Sequence, residues 1–383
     1  MKRKLRLMVL AGLLPLAATV SAQQAEQFKV ATLNIDGLPQ KILVINVNAD
    51  GPGAEGTSRI GKYLMKKGYD IVCMQEDFNY HGVLTPWLED DYLFDEWSGA
   101  VGIDLPDKKI DFLHLQNEQF DCDGLGAFWK KGISLSSAER VAWQELFGKF
   151  SHCNDELVKK GFRRYEMTLA NGMSLLVYNM HMDASDDLDE LEGKAGPDRA
   201  ARLSEWEQLK EDVLAHLDTR PIIIMGDMNS YYWRDQVKEK FIDEINATGR
   251  GQATDVWVEL ANGGEYPAYI GDSAESQGYV AENDEMLDKI IYINPASGKL
   301  IKAVSFDVDK EGYTYEGKAL GDHYPVAATF EIVDIEKPTG IETVGTTGTN
   351  VEYYNLNGQH VGQPAKGLYI ERQEKSSRKR IIK

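Results

Sequence analysis

Short apolar runs that break into loop-forming residues recur along most of the chain. Their composition and length predict strands at 28–35, 69–77, 174–181, 221–229, 287–293 and 325–333. Helical spacing of apolar residues follows Ser58 and stops at Gly68, and a second helix begins at Pro197. Trp206 lies on the apolar stripe of that helix, so we expect it in the core.

Polar side chains able to bind metal or phosphate stand at the ends of these predicted strands. A strand fixes the position of such a side chain and still lets it reach a cleft. Each one alone could serve a turn, but together they predict a shared polar site. They are Asn34, Glu76, His181, Asp227, Asn229 and the pair Asp322 and His323 before the last strand.

Six short motifs follow one another along the chain: TLNIDGLP at 32–39, QED at 75–77, NMHMDA at 179–184, GDMNS at 226–230, LDKIIYI at 287–293 and GDHYP at 321–325. Their order and spacing resemble those of the endonuclease/exonuclease/phosphatase superfamily, over about residues 28–333. The resemblance implies an α/β (α+β) fold, a four-layered α/β-sandwich of two packed mixed β-sheets flanked by helices. It also implies phosphoester hydrolysis, and it is much less specific for substrate.

The resemblance assigns a cation site to three of these residues. Glu76 matches the principal magnesium-binding carboxylate, Asn34 assists it, and Asp322 is the acid that faces the metal side. Oxygen ligands of this kind suit Mg²⁺, and we expect Mn²⁺ or another divalent ion to substitute for it. A zinc hydrolase would normally use a tight His/Cys set such as HExxH, which the sequence lacks.

The resemblance assigns the catalytic roles to five other residues. His181 matches the phosphate-contacting histidine, and Asp227 with Asn229 matches the pair beside the attacked phosphorus. His323 matches the general base, and Asp288 matches the carboxylate that orients it. Imidazole suits a base that works near neutral pH, and a bonded carboxylate fixes its tautomer. The texts LDK and GDHYP depart from the commoner Ile-Asp-Tyr and Ser-Asp-His but keep these side chains.

The charge composition bears on which phosphate-containing substrates such a site would bind. The formal net charge is −19, with 43% hydrophobic and 27% charged residues, as in an ordinary globular protein. An acidic body argues against a protein that holds nucleic acid by covering phosphates with Lys and Arg. It does not exclude an enzyme that meets phosphate through a bound cation.

The text around the motifs resembles the secreted sphingomyelinase-like branch of the superfamily, notably QEDFNYHGVL at 75–84 and the segment Lys160-Gly161-Phe162. We therefore expect a phospholipase C or sphingomyelinase that cleaves a lipid phosphodiester. A secreted nuclease, an inositol or sugar phosphate phosphatase, and a non-catalytic surface binding protein remain alternatives. Retention of every motif residue counts against the last of these.

Candidate substrate contacts lie beside the motifs. Lys160 is a candidate phosphate contact, although a solvated lysine is the commoner state. Tyr232, Trp233 and Arg234 directly follow GDMNS, so we expect them at the rim of the cleft. Aromatic rings beside an arginine suit a membrane interface or a choline-like head group, and packing against a neighbouring loop is the alternative. We expect a monomer with peripheral membrane contact and no obligate protein partner.

The amino-terminal segment has the basic, apolar and small-residue regions of a signal peptide. We expect cleavage after Ala22, which leaves 23–336 as the catalytic domain. The apolar run is too short for a membrane-spanning helix. The protein is then exported to the cell surface or medium, with the periplasm as an alternative.

The carboxyl-terminal segment changes composition after Lys337. Residues 337–350 read as a linker, and 351–383 as a small β module with a hairpin around Asn357-Gly358. This module resembles the sorting modules of type IX secretion, with an inert β appendage as the alternative.

Export also permits a disulfide between Cys122 and Cys153, which lie in polar, loop-like text. Cys73 lies in an apolar run, where we expect a buried, unreactive thiol.

Overall fold

A computed structural model gives the fold and describes residues 26–42, 45–101, 119–271, 285–333, 352–354, 360–361, 366–373 and 376–382. The chain divides into two compact units, one ending at Val333 and the other beginning at Asp334. The predicted signal peptide and linker lie outside the described residues. No helix in the described ranges is both long and apolar enough to cross a bilayer.

The first unit is built on two six-stranded mixed sheets. The strands of the first sheet, in spatial order, are β13 (Leu300–Val308), β16 (Val326–Val333), β1 (Gln27–Asn34), β4 (Ile71–Gln75), β6 (Gly126–Lys130) and β5 (Tyr92–Phe94). Those of the second are β11 (Gly251–Asp255), β12 (Asp288–Pro295), β10 (Ile222–Asp227), β9 (Ser174–His181), β8 (Gly161–Thr168) and β7 (Ser134–Ala142). The pairs β1–β4 and β9–β10 are parallel, and the other neighbours are antiparallel.

Helices and short hairpins connect these strands. The helices are α1 (Gly53–Lys67), α2 (His81–Leu84), α3 (Leu188–Leu191), α4 (Pro197–His216), α5 (Tyr232–Asp235), α6 (Asp243–Ala247) and α7 (Val256–Leu260). The hairpins are β2 (Lys41–Ile42) with β3 (Ile45–Asn46) and β14 (Thr314–Tyr315) with β15 (Lys318–Ala319). A 3₁₀ turn spans Thr85–Trp87, a 3₁₀ segment with a kink at Cys153 and Asn154 spans His152–Leu157, and a π-helical turn spans Lys238–Ile242.

The two sheets pack face to face, and helices cover their outer faces. Val30 and Cys73 from the first sheet share one buried cluster with Val177 and Ile223 from the second. The outer clusters join the first sheet to α1 and the second to α4, where Trp206 is fully buried. This arrangement confirms the predicted four-layered sandwich and the predicted core position of Trp206.

Local sequence explains where α1 ends and where α4 begins. Gly68 follows α1 with a φ of 64°, a left-handed conformation that glycine adopts without a side-chain clash. Its N–H donates to the Leu64 carbonyl at 3.1 Å, as in a common helix C-terminal motif. Pro197 occupies the first turn of α4, where its missing N–H costs no helical hydrogen bond. Both boundaries match the predictions.

The second unit contains a four-stranded antiparallel sheet. Its strands, in spatial order, are β18 (His360–Val361), β17 (Glu352–Tyr354), β19 (Gly367–Gln373) and β20 (Ser376–Ile382). Antiparallel pairing of β17 with β18 agrees with the predicted hairpin, whose turn at Asn357-Gly358 lies outside the described residues.

The predicted disulfide between Cys122 and Cys153 is wrong in this structure, because both thiols are free. Cys122 is buried in a small apolar cluster with Phe78 and Phe120, whereas Cys153 is exposed. Burial raises the pKa of the Cys122 thiol to about 12, so it stays protonated and unreactive. Cys73 is fully buried, as predicted.

Candidate active site

Strand register brings three of the predicted catalytic residues into one row across the second sheet. Asp227, at the end of β10, pairs with His181 on the parallel strand β9 and with Asp288 on the antiparallel strand β12. In the first sheet, Asn34 ends β1 beside Gln75, so Glu76 follows directly at the same edge. Because the two sheets are packed together, both sets of strand ends meet at one place.

Asp227 lies at the centre of the site, where it contacts Asn34, His181 and His323. Its Oδ2 accepts a hydrogen bond from Asn34 Nδ2 at 3.1 Å, which links the two sheets. The same oxygen lies 3.6 Å from Nε2 of His181 and 3.6 Å from Nε2 of His323. Burial alone would raise the pKa of Asp227, but the positive charge of His323, with hydrogen bonds from Asn34 and the Asn229 backbone, holds it below its ordinary value. Asp227 is therefore a buried carboxylate kept ionised between two imidazoles.

His323 is bonded to a second carboxylate on its other side. Its Nδ1 lies 2.6 Å from Oδ2 of Asp288, which is 2% exposed. Burial opposes the charged imidazolium, but Asp288 and then Asp227 outweigh it and raise the pKa of His323 to about 11. The pair has the geometry of an oriented general base, with Nε2 directed toward Asp227 and the site.

His181 has the opposite surroundings. It is 2% exposed, and Nζ of Lys160 lies 3.2 Å from its Nε2. Burial, reinforced by the positive charge of Lys160, lowers the pKa of His181 to about 3, so the imidazole is neutral. Its backbone carbonyl accepts a hydrogen bond from the Trp143 indole at 2.8 Å, which holds the end of β9.

The expected cation site contains an extra carboxylate that sequence reasoning missed. Glu76 accepts a hydrogen bond from Asn34 Nδ2 at 2.9 Å, and Asp36 and Asp322 are its acidic neighbours. Burial and these two acids raise the pKa of Glu76 to about 7, and burial with Asp322 raises that of Asp36 to about 6. The signal for Asp36 was its place in the first motif directly before Gly37, but an Asp-Gly step is also an ordinary turn.

These residues fit a hard divalent cation. Three carboxylates and an amide oxygen are the ligand types that Mg²⁺ prefers, and their mutual repulsion is what a bound cation would relieve. Asp227, Asp288 and His323 also bring ligand atoms within 4.8 Å of one another. In that group, however, His323 Nδ1 is already bonded to Asp288. We therefore assign that group to proton transfer and the Glu76 side to the cation.

The predicted rim residues are buried instead. Tyr232, Trp233 and Arg234 are between 0% and 3% exposed, so their prediction as a substrate rim is wrong. The Tyr232 hydroxyl donates to Asp255 at 2.8 Å, and Arg234 donates to the Asn229 carbonyl at 2.6 Å. Buried polar groups need hydrogen-bond partners, and these residues find theirs in the protein interior. They therefore hold the loop after β10 in place and do not contact substrate.

That support fixes Asn229 in an unusual backbone conformation. Asn229 has a φ of 44°, and its N–H donates to Asp227 Oδ1 at 3.1 Å. Its side-chain Nδ2 donates to the Met182 carbonyl at 3.0 Å, beside His181. The structure thus places Asn229 next to both Asp227 and His181, as expected for a residue that faces the phosphate.

The unusual LDK text also has a structural reason. Lys289, which follows Asp288, is 3% exposed and forms an ion pair with Glu285 at 2.8 Å. Its ammonium lies 4.7 Å from the centre of the Tyr232 ring. Glu285 also accepts the Tyr232 N–H at 2.7 Å, so Lys289 belongs to the support of the loop and not to the reacting centre.

Lys160 lies inside the site and not on its rim. It is 5% exposed, and its ammonium contacts Asp155, the Met182 carbonyl and His181. Sequence reasoning favoured a solvated lysine at this position. The carboxylate that offsets the cost of burying this ammonium belongs to Asp155, in the 3₁₀ segment His152–Leu157. The sequence pattern did not predict that segment.

A two-sheet sandwich with imidazoles and carboxylates at its meeting strand ends has the architecture of a phosphoesterase-type hydrolase. The sequence model described as the Endonuclease/Exonuclease/phosphatase family matches residues 31–268. The chain therefore belongs to this family, whose members are usually phosphoester hydrolases that use divalent metal ions. No curated protein matches the chain in sequence.

Solved structures agree with the fold. A humanized D. rerio TDP2 carrying 14 mutations has a TM-score of 0.50 at 15% identity, covering 80% of this chain and 99% of that one. An endonuclease/exonuclease/phosphatase from Bacteroides vulgatus has a TM-score of 0.50 at 16% identity, covering 80% and 100%. The beta toxin 275-280 from Staphylococcus aureus gives 0.48 at 16%, covering 79% and 99%. At such identities the first two likenesses establish the fold and leave the substrate open.

Proposed function

We propose that this protein is an exported, Mg²⁺-dependent phosphodiesterase of the sphingomyelinase or phospholipase C type. The observation that carries the reaction type is the line from Asp288 through His323 to Asp227, with His181 and Lys160 on the opposite side. It offers a base with its orienting carboxylate and, across the site, two groups that can donate to a phosphate.

In the proposed reaction, a water oxygen bonds to phosphorus while the bond from phosphorus to the leaving oxygen breaks, and the departing alkoxide takes a proton from solvent to become the alcohol. Nε2 of His323 takes the proton of the attacking water, and Asp288 stabilises the imidazolium that forms. His181 and Asn229 donate to the phosphate oxygens as their charge grows. A divalent cation held by Glu76, Asn34 and the neighbouring acids would neutralise phosphate charge and lower the pKa of His323.

The acidic character of the cleft supports a lipid head group over a polyanion. A cavity of about 820 Å³ opens beside Asp36 and Asp322. Its lining also includes the acids Asp50 and Glu316, and Arg59 in it is already paired with Glu55. A long nucleic acid would place many phosphates against such a surface, whereas a lipid phosphodiester brings one.

The test is turnover of three substrates by the full chain, each with Mg²⁺ and with a chelator. We expect phosphocholine release from sphingomyelin vesicles that stops on chelation, with little cleavage of plasmid DNA or of inositol phosphates. Cleavage of DNA alone would replace the lipid assignment with a nuclease, and turnover of inositol phosphates alone would make it a phosphatase. Absence of any turnover would favour a non-catalytic binding protein.

A further inference from the structure

Four large apolar side chains are exposed to solvent on two loops of the second sheet. Phe147 and Phe150 follow β7, and Leu188 and Leu191 lie one turn apart on α3, in the loop after β9. Phe150 is 61% and Leu188 is 75% exposed, the two highest values among the described large apolar side chains. Single exposed apolar residues are normal, but a group of them marks a surface that binds another surface. We call these four residues the apolar patch.

Contacts between the two loops make the apolar patch one surface. The Phe147 ring packs edge-on against the ring of His152, with centroids 4.9 Å apart. His152 and Leu188, one from each loop, line the same cavity of about 490 Å³. The Phe147 N–H also donates to the carboxylate of Asp183 in the second loop at 2.7 Å. The loops therefore lie side by side.

Both loops start beside the reacting centre. The first begins at Trp143, whose indole donates to the His181 carbonyl at 2.8 Å. The second follows His181 directly, because that residue ends β9. A surface bound by the apolar patch would therefore lie next to the proposed phosphate site.

The backbone that presents Phe150 is strained. Phe150 has a φ of 62°, a region that bulky residues rarely adopt, and His152, Cys153 and Asn154 have φ values of 47°, 56° and 66°. Such conformations persist only where other contacts hold them, here including the buried carboxylate of Asp198 at 2.9 Å from His152 Nδ1. Folding gains little from holding an aromatic ring in water on a strained backbone. Binding of that ring to a partner gives the conformation a function.

The charge beside the apolar patch indicates what it binds. Residues 182–194 contain six acids and one lysine, and the exposed acids Asp186 and Asp189 flank Leu188. Negative charge is repelled by a membrane rich in anionic lipids. It complements the trimethylammonium groups that a phosphocholine bilayer carries at its surface. The lipid proposed above as substrate lies in such a bilayer.

We infer that the apolar patch docks on the surface of an electrically neutral phosphocholine bilayer. Phe147, Phe150, Leu188 and Leu191 enter the head-group layer, and the acids beside them face the choline groups. Docking holds the cleft next to the lipid phosphodiesters. The choice of lipid rests on the proposed function, but binding can be measured without turnover.

Vesicle binding tests the apolar patch directly. The full chain is mixed with pure phosphatidylcholine vesicles in chelator, and bound protein is measured by co-sedimentation. We expect Phe150→Asn and Leu188→Ser each to lower the affinity roughly tenfold, because each removes a large apolar side chain from the bilayer. Asn tolerates the left-handed backbone at this position. The control Leu93→Ser, at a residue 44% exposed on the edge strand β5, should bind as wild type does. Equal affinity in all four proteins would overturn the inference.

A fluorescence measurement gives a signal that misfolding cannot imitate. Phe150→Trp places an indole in the apolar patch, and its emission is read as the difference from wild type, because the chain has seven Trp residues. We expect the emission to move to shorter wavelength when phosphatidylcholine vesicles are added, as the indole enters the head-group layer. Leu93→Trp should show no such shift. Absence of a shift in the Phe150 variant would contradict docking through this surface.

Lipid composition and self-association test the choice of partner. We expect weaker binding to vesicles that contain phosphatidylserine than to pure phosphatidylcholine. Stronger binding to the anionic vesicles would overturn the charge argument. A dimer in vesicle-free solution that Phe150→Asn abolishes, seen by analytical ultracentrifugation, would assign the apolar patch to a second copy of the chain and not to a bilayer.

Turnover of two substrates separates docking from the reaction. With Mg²⁺, Phe150→Asn and Leu188→Ser should hydrolyse the soluble diester bis(4-nitrophenyl) phosphate as wild type does. They should cleave sphingomyelin in phosphatidylcholine vesicles about tenfold more slowly. If wild type cleaves no lipid but binds vesicles through the apolar patch, the proposed function fails and the docking surface stands. Unchanged sphingomyelin cleavage in both variants would overturn the docking surface and leave the proposed function intact.

Discussion

Two histidines lie at the same distance from the same oxygen, yet their surroundings differ in sign. Nε2 of His323 and Nε2 of His181 are each 3.6 Å from Oδ2 of Asp227. Carboxylates raise the pKa of His323 to about 11, whereas burial and Lys160 lower that of His181 to about 3. Burial opposes the charged form of both rings; Asp288 outweighs it at His323, whereas Lys160 adds to it at His181.

This contrast gives the site one strongly basic imidazole and one neutral imidazole, and His323 would become a proton acceptor near neutral pH once a bound cation lowers its pKa. The carboxylate bonded to an imidazole stabilises the positive charge that the ring gains when it takes a proton. A buried imidazole beside an ammonium resists protonation and can offer an N–H to phosphate without changing its own charge. Changes to either ring or its partner therefore test different parts of the account.

Replacing His323 should have the largest effect. His323→Ala removes the proposed base, and we expect turnover to fall roughly 10⁴-fold in a steady-state assay with Mg²⁺. His216→Ala is the matched control, because His216 also contacts an aspartate, Asp212, but lies near the end of α4. Wild-type rates in the His323 variant would contradict the base assignment.

Replacing His181 should have the next largest effect. His181→Ala removes a donor to the phosphate, and we expect kcat to fall roughly 10²- to 10³-fold. The acid limb of the pH–rate profile, which reports protonation of the base His323, should keep its wild-type position because that base is untouched. A shifted limb would show that His181 itself carries the transferred proton.

Removing the carboxylate behind the base should separate orientation from proton affinity. In the cation-free chain, Asp288→Asn takes away the main cause of the raised pKa of His323, so its imidazole should titrate at a lower pH by NMR. We also expect turnover to fall about 100-fold, less than for loss of the base itself. An unchanged titration would mean that Asp288 does not control His323.

Replacing the proposed cation ligand Glu76 should change mainly the Mg²⁺ requirement of the reaction. Glu76→Gln keeps the size of the side chain but removes a charged ligand, so we expect the Mg²⁺ concentration for half-maximal activity to rise at least tenfold. Rates at saturating Mg²⁺ should recover in part. A loss of kcat with an unchanged Mg²⁺ requirement would move the cation away from Glu76.

The pH dependence of stability should show the smallest effects, with opposite signs for the two rings. The folded pKa of His181, about 3, lies below its ordinary value of 6.5, so the unfolded state binds more protons between them. Its contribution therefore lowers stability as pH falls from about 6.5 toward 3.

His323 contributes in the other direction. Its folded pKa of about 11 lies above 6.5, so its stabilisation is complete below 6.5 and is lost as pH rises toward 11. In metal-free protein, His181→Gln should flatten the acid side of the stability profile and His323→Gln the alkaline side. Denaturant unfolding across pH measures both, and identical profiles for the two variants would contradict the contrast.

Much of the fold and the reacting centre could be predicted because both depend on local patterns. Apolar runs predicted the strands that carry the site residues. A residue that ends such a run, such as His181 or Asp227, lies at the carboxyl end of its strand. Strand register then placed these residues side by side. The partners Asp288 and His323 followed from motif order in the family.

The features that escaped prediction depend on contacts that no pattern records. Tyr232 and Arg234 look like rim residues in the sequence, but Asp255 and the Asn229 carbonyl bind them inside. Lys160 has the sequence context of an exposed lysine, and a kinked turn supplies its acid, Asp155. Whether a charged side chain is buried depends on a partner that is close in space, and composition and periodicity do not reveal that partner.

The most direct test is the rate of bis(4-nitrophenyl) phosphate hydrolysis by Mg²⁺-loaded wild type and His323→Ala, measured side by side. This simple diester needs only the phosphate site and not a lipid surface. The account predicts steady turnover by wild type that a chelator abolishes, and none above background in the variant. Equal rates in the two proteins, with or without Mg²⁺, would contradict it.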